Sequence, residues 1–401
     1  MRITSPLFAL GCYAFVSLGV SAALLGPALP TLAAQANVGL DRIGLIFISM
    51  SLGYLTSAPI INTLGARVGT ANMLIVSPLL VIGSMALLAL GAHLSVFFVA
   101  TYLLGLGQSG TQVAYNTIFG MQQESERASA VLNRLNAFFG IGALIGPLLV
   151  AASYILINEA MLAFWGAAGM ALLLTLGALR ARHGLPASPA QFTTPQRDAA
   201  RRLLAAPVAW ALCVVMGLYV GCEVAFSGWA AEFTSRIAGV GTAQAAVVVS
   251  IFWAALAISR YFAHLLVARI PAIALIGLLF STAIAGLAVM LLAGQASIAA
   301  WLGAALVGAG FGPIYPTLIA IGIQRFPFAA QMITSVLTST GSVGALFLPA
   351  LTGVVMSAPA LGAAGAWVML AGLLALVVGL WQLARRALAR EDAAALRAGA
   401  I

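Results

Sequence analysis

The chain has 401 residues, of which 63% are apolar and 7% charged, with a mean hydropathy of +1.10. A soluble domain carries about 25% charged residues, so a soluble enzyme, a secreted disulfide scaffold and a disordered tail are all excluded and an integral membrane protein remains. The formal charge is +9, and all 18 basic residues are Arg, set in short joints between apolar runs. That is a loop-topology signal, and no nucleic-acid partner is read from it.

A helical span needs about 20 mainly apolar residues. Twelve runs of that kind follow one another at 7–30, 42–64, 71–92, 96–120, 134–157, 160–180, 208–231, 243–266, 272–293, 297–321, 333–356 and 363–384. They do not alternate apolar and polar residues as barrel strands do, so the spans are expected to be helices. The first run is too long for a signal peptide's apolar core of about 7–15 residues. It is expected to be retained and to end at Gly26-Pro27-Ala28-Leu29-Pro30. Residues 181–207 carry Pro186, Pro189, Pro195 and Pro207 and read as a basic linker with an amphipathic piece at 196–204; 385–401 read as an Ala/Arg-rich tail. With the N-terminus in the cytoplasm, only Arg42 and Arg236 fall outside, which predicts a bacterial-type inner-membrane protein with both termini cytoplasmic. Cys12, Cys213 and Cys222 lie inside apolar runs without metal or redox spacing and are expected to be small buried groups.

A shift of 202 residues sets Gly142-Ala-Leu-Ile-Gly-Pro147 on Gly344-Ala-Leu-Phe-Leu-Pro349, Gly19-Val-Ser21 on Gly221-Cys-Glu223, and Gly110 on Gly312. One constant offset across separate helices implies two six-helix halves in parallel repeat. The expected divisions are 1–180, a linker at 181–207, a second bundle at 208–384 and a tail at 385–401. In such an architecture the solute site sits near mid-depth between the halves and is exposed to each side in turn.

Nine acids are present, and only Glu223 lies deep inside a span. An intramembrane acid costs about 2.5–3.5 kcal/mol on insertion scales and marks a functional position by default. Burial disfavours its ionised form, as a proton carrier requires; the competing reading is a permanently neutral Glu bonded to a neighbouring helix. Gln108, Gln112 and Asn116 follow at i, i+4, i+8 and form one stripe of span four. Their donors and acceptors suit a hydroxyl-bearing solute or, equally, bonds between helices. Tyr219 shares a face of span seven with Glu223, and Trp229 stands further toward the outer end as a solute contact or an interfacial anchor. Ser21, which the repeat sets on Glu223, is taken with them as a solute contact. Span ten contains Gly310-Phe-Gly-Pro-Ile-Tyr-Pro316, which interrupts backbone bonding at mid-depth, and Tyr315 in that break is a candidate contact or a packed core residue. Arg260 either snorkels to the headgroups, bonds carbonyls at the joint, or gates. His93, His183 and His264 have no second ligand at metal spacing, and no nucleophile–base group or phosphate loop appears. No enzyme, metal or cofactor is expected.

These stretches resemble the major facilitator superfamily, and within it the fucose–galactose–glucose:proton symporter group and its bacterial relatives. The resemblance rests on three stretches: Gly105-Leu-Gly-Gln-Ser-Gly-Thr-Gln112 through Asn116, with Asn133-Arg-Leu-Asn136 through Pro147; Tyr219 through Trp229; and Gly310 through Pro316, with Gly341 through Pro349. It implies an all-α membrane protein of twelve transmembrane helices in two pseudo-symmetric bundles. It also implies a solute contact at Asn136, where many relatives have His, and gating roles for Arg67 and Arg269, whose joints lack the family's acid. Gln112 stands where relatives often carry an acid, which leaves Glu223 as the placed proton carrier. The expected activity is secondary active transport of a small polar solute, a sugar first, by a monomer in the lipid bilayer. A proton-coupled exporter of hydrophobic or amphipathic drugs and a non-transporting membrane sensor or scaffold are the rival readings.

Overall fold

The computed structural model describes residues 6–68, 70–121, 125–181, 197–267, 269–292 and 296–397. The elements are α1 (Pro6–Ala23), α2 (Leu29–Ala36), α3 (Leu40–Ile43), α4 (Ile46–Val68), α5 (Thr70–Leu90), α6 (Leu94–Met121), α7 (Ser125–Ile157) and α8 (Met161–Ala181). After them come α9 (Arg197–Ala205), α10 (Pro207–Ala238), α11 (Thr242–Val267), α12 (Ala272–Leu292), α13 (Ser297–Phe311), α14 (Ile314–Arg325), α15 (Ala330–Ser357) and α16 (Gly362–Arg397). Among the described residues eleven spans pass as membrane-crossing by length and composition, with α13 and α14 counted as one; α4 enters as a twelfth through a 110° bend from α2. Large apolar side chains such as Ile155, Leu156, Leu173 and Leu292 face outward, which a water-exposed surface would not tolerate in such number but lipid does. The chain is a multi-pass membrane protein.

Start and stop residues act where their chemistry predicts. Pro207 opens α10 and Gly239, at φ +63°, closes it in the left-handed region. Several boundaries differ from the sequence reading, most of all at the first span. The first helix stops at Ala23 and not near residue 30, and after a turn the chain restarts as α2 with Pro30 in its first turn. Gly26 in that turn lies against the Ser227 and Gly228 carbonyls, where a Cβ would come within 2.7 Å of both. The linker's amphipathic piece forms α9, while residues 182–196 lie outside the described residues.

The 202-residue repeat reappears as packing. On α1 and α7, a Cβ on Gly142 would collide with the Val16 carbonyl, and one on Gly19 with the Phe139 carbonyl. On α10 and α15, a Cβ on Gly344 would collide with the Gly217 carbonyl. Gly105 likewise rides on the Met50 carbonyl between α6 and α4, as Gly308 rides on the Phe252 carbonyl between α13 and α11. Lipid supplies no hydrophobic drive between helices, so close backbone approach through small residues is what holds each pair.

The two halves meet at the end bearing α2 and α3. Gly26 touches Gly228, and Phe47 packs on Trp229 with ring centroids 6.3 Å apart. The Ser51 hydroxyl donates to the Ala345 carbonyl at 3.2 Å, and the Ser250 hydroxyl to the Leu144 carbonyl at 2.9 Å. Phe139 meets Trp253 edge-on at 6.2 Å. Among the described residues these contacts run from the end bearing α2 and α3 toward the Arg-rich end.

Gly142→Ala should cost about 1–3 kcal/mol through forced overpacking and lower the thermal unfolding midpoint in detergent. Gly83→Ala, where a Cβ would meet nothing within 4 Å, should leave the midpoint unchanged or raise it, since helical Gly is the less favourable residue.

Candidate functional site

On α10, Tyr219 and Glu223 stand one helical turn apart, and the Tyr219 hydroxyl donates to Glu223 Oε2. The same hydroxyl oxygen is 3.1 Å from the Phe311 carbonyl oxygen. Phe311 ends α13, so its carbonyl is one of those a helix terminus leaves without a continuing turn. The next carbonyl, Gly312, would in an unbroken helix accept from residue 316, but Pro316 has no N–H. Arg260 Nε–H donates to that carbonyl at 2.8 Å. The break in span ten is thus held by two side chains from two other helices.

Arg260 therefore does not snorkel to the headgroups. It turns inward because a buried orphan carbonyl is available to a donor that is always charged. Its guanidinium is also within electrostatic range of Glu223 and Tyr219, although among the described residues the two charged groups are not in ion-pair contact. Glu223 is packed on every side yet only half-buried by solvent contact.

From this group a line of polar side chains crosses to the other half. Tyr315 on α14 lies within electrostatic range of Tyr219 and of Tyr54 on α4. Its hydroxyl is 3.1 Å from Thr338 Oγ1 on α15. Tyr54 in turn donates to Gln112 Oε1 on α6. The half-buried Gln112, Asn116 and Tyr315 and the exposed Thr338 give the line contact with solvent-sized space. Asn116 Oδ1 is buried with no hydrogen-bond partner, which leaves an acceptor for a donor not supplied by the protein.

The remaining candidates are placed differently. Gln108, 6% exposed, spends its Nε2 on Ser21 Oγ at 3.0 Å, and Ser21 donates to the Leu18 carbonyl. The pair ties α6 to α1. Trp229 is fully buried at the closed end, with its indole N–H on the Pro349 carbonyl at 2.7 Å; no lipid interface reaches it. Asn136 is exposed on α7 and Arg269 is exposed beyond α11. Arg67 lies in the last turn of α4, and its side chain is outside the described residues. Tyr54 and Thr338 were missed from the sequence. Tyr54 is a neutral phenol in an apolar run, and its signal was the polar i, i+3, i+6 spacing of Ser51, Tyr54 and Ser57.

No cluster of three or more metal-ligating side chains occurs among the described residues. A separate cavity of about 460 Å³ at the closed end, lined by Thr31, Gln35, Tyr154, Asn158, Glu159 and Thr242, contains none of the residues above.

The model of the Major Facilitator Superfamily matches residues 10–349. The chain belongs to that superfamily. Among its relatives, the sodium-dependent glucose transporter 1 of Rattus norvegicus is 30% identical over 143 residues, which is 34% of this chain and only 28% of that protein's length. Among solved structures, the nucleoside transporter NupG superposes with a TM-score of 0.77 at 13% identity, covering 96% of this chain and 99% of that one. A variant of the E. coli fucose:proton symporter FucP gives 0.62 at 17% identity, covering 94% and 98%. These likenesses establish the major facilitator fold, and with the family match they make this superfamily member a transporter rather than an enzyme.

Opposite stability effects follow for the two carboxamides. Gln108→Leu removes a satisfied buried bond worth about 0.5–1.5 kcal/mol and should lower the thermal midpoint in detergent. Asn116→Leu removes a buried acceptor that has no partner and should hold or raise it.

Proposed function

We propose that this superfamily member moves a small hydroxyl-bearing solute, such as a monosaccharide or nucleoside, by alternating access coupled to protons through Glu223. The observation that carries the reading is the line from Gln112 through Tyr54, Tyr315 and Tyr219 to Glu223 and Arg260. It runs from the first half to the second and ends on a half-buried acid. Carboxamides and phenols supply paired donors and acceptors for hydroxyl groups. The names of the similar proteins, for glucose, nucleosides and fucose, concern solutes of that chemistry. A drug exporter would be better served by an apolar cavity than by this line.

Alternating access requires the seam at Gly26, Phe47, Trp229 and Ser51 to open while the opposite end closes. With the Arg-rich joints in the cytoplasm of a bacterial-type inner membrane, as the excess of inner Arg implies, the seam lies at the outer end, which supports an inward-open state. One chain holds both walls of the site, which supports a monomer as the working unit. Gln108 and Ser21 then serve as a fixed wall. Asn116 and Asn136 serve as solute contacts, and Arg67 and Arg269 as joints of the inner gate.

The test is uptake of a panel of labelled monosaccharides and nucleosides into liposomes holding purified protein. An inward proton gradient should drive accumulation in the wild type. Glu223→Gln should reduce accumulation to equilibrium while leaving counterflow exchange measurable. Accumulation driven by a sodium gradient alone, the ion named for the rat relative, would overturn the proton reading, as would undiminished accumulation in the Gln variant. Binding without flux for every solute would overturn transport itself.

A further inference from the structure

Tyr219 has one hydroxyl proton and two acceptors in reach, Glu223 Oε2 and the Phe311 carbonyl oxygen. An ionised carboxylate only accepts, whereas a protonated one also donates. With Glu223 ionised, the Tyr219 proton goes to Oε2, the stronger acceptor, and the Phe311 carbonyl is left without it. With Glu223 protonated, the carboxyl O–H donates to the Tyr219 oxygen, and the Tyr219 O–H turns to Phe311. The proton that neutralises Glu223 comes from a hydronium ion in the solvent-accessible space and leaves water behind. No proton leaves Tyr219; its hydroxyl only rotates.

The second support of the break responds in the same sense. Arg260 is held on the Gly312 carbonyl at 2.8 Å and lies within electrostatic range of Glu223. A negative carboxylate draws the guanidinium away from that carbonyl, and a neutral one does not. The other groups facing this point are few. Tyr315 on α14 lies near Tyr219, and Arg325 stands only in the last turn of that helix. None of α12, α13 and α15 carries a titratable side chain, and those of α16 begin only at Arg385. Tyr261 on α11 is 73% exposed, and the His264 side chain is outside the described residues. Asp198, Arg201 and Arg202 lie on α9, before the start of α10 at Pro207, which is itself about four helical turns from Glu223.

We infer that Tyr219 is a positioning residue that transmits the protonation of Glu223 to the break between α13 and α14, so that proton uptake clamps the end of α13 and proton release frees it. The inference rests on the proposed role of Glu223 as proton carrier and says what that proton moves. Span ten contributes Tyr315 to the polar line, so the clamp sets where the solute-facing part of α14 begins.

The experiment is hydrogen–deuterium exchange of the segment 308–318 in nanodiscs over a range of pH, corrected for intrinsic exchange. It is run beside accumulation and counterflow assays on the same variants. In the wild type, protection should fall roughly two- to tenfold as Glu223 ionises, the range that one buried hydrogen bond controls. Glu223→Gln, whose carboxamide N–H replaces the carboxyl donor, should stay protected at every pH. Tyr219→Phe should be unprotected at every pH and should lose accumulation. If Glu223→Gln loses accumulation but Tyr219→Phe retains the wild-type pH response, the carrier reading stands and this inference falls. If Glu223→Gln still accumulates solute, the carrier reading falls whatever span ten does. Should Tyr219→Phe fail to fold, Glu223→Gln alone decides: a flat pH profile supports the clamp, and a wild-type profile overturns it.

Discussion

In hydrocarbon there is no water to satisfy a stray backbone carbonyl, and span ten of this protein leaves carbonyls stray at mid-depth. Pro316 removes the N–H that Gly312 would have received, and α13 stops at Phe311. The break is stable only because Arg260 and Tyr219 reach it from α11 and α10. Those two side chains bring charge and a phenol to the depth of Glu223, in a bilayer that otherwise excludes them. Glu223 is thus embedded in the apparatus that holds a helix break together, and its neighbours have a structural duty beside any role toward solute.

The repeat makes the halves similar in packing and unlike in chemistry. The same glycine-on-carbonyl crossings recur between α1 and α7 and between α10 and α15. Where the first half has Ser21, bonded to Gln108 and buried, the second has Glu223, bonded to Tyr219 and reachable by solvent. One half offers a neutral wall and the other a group that can change charge. The seam between them is made of ring packing and single hydroxyl–carbonyl bonds. Contacts of that kind can be exchanged without stranding a charge, which suits the separation that the proposed alternating access requires.

Much of the fold could be read from linear order. About 20 apolar residues per span is a requirement of bilayer thickness, so the runs declare themselves. A lone acid among them stands out for the same energetic reason. Helical spacing puts Tyr219 beside Glu223, and two prolines and two glycines mark the Gly310–Pro316 stretch as broken. Spacing is silent about neighbours from other helices. Tyr54 carries no charge and sits in an apolar run, and only the crossing of α4 with α6 and the approach of α14 give it partners. Gln108 and Gln112 are equivalent on one helical stripe, yet one is sealed against α1 and the other opens toward solvent.

Composition and periodicity were therefore sufficient for the membrane class and for an all-helical chain of many crossings, because each depends on local hydration energy or helical spacing. The direction of Arg260, the stop at Ala23, the Gln108–Ser21 bond and the line of phenols between the halves depended on which helices pass close to one another. A polar atom in lipid takes whatever partner the packing brings within hydrogen-bond reach, and that partner lies tens to hundreds of residues away along the chain.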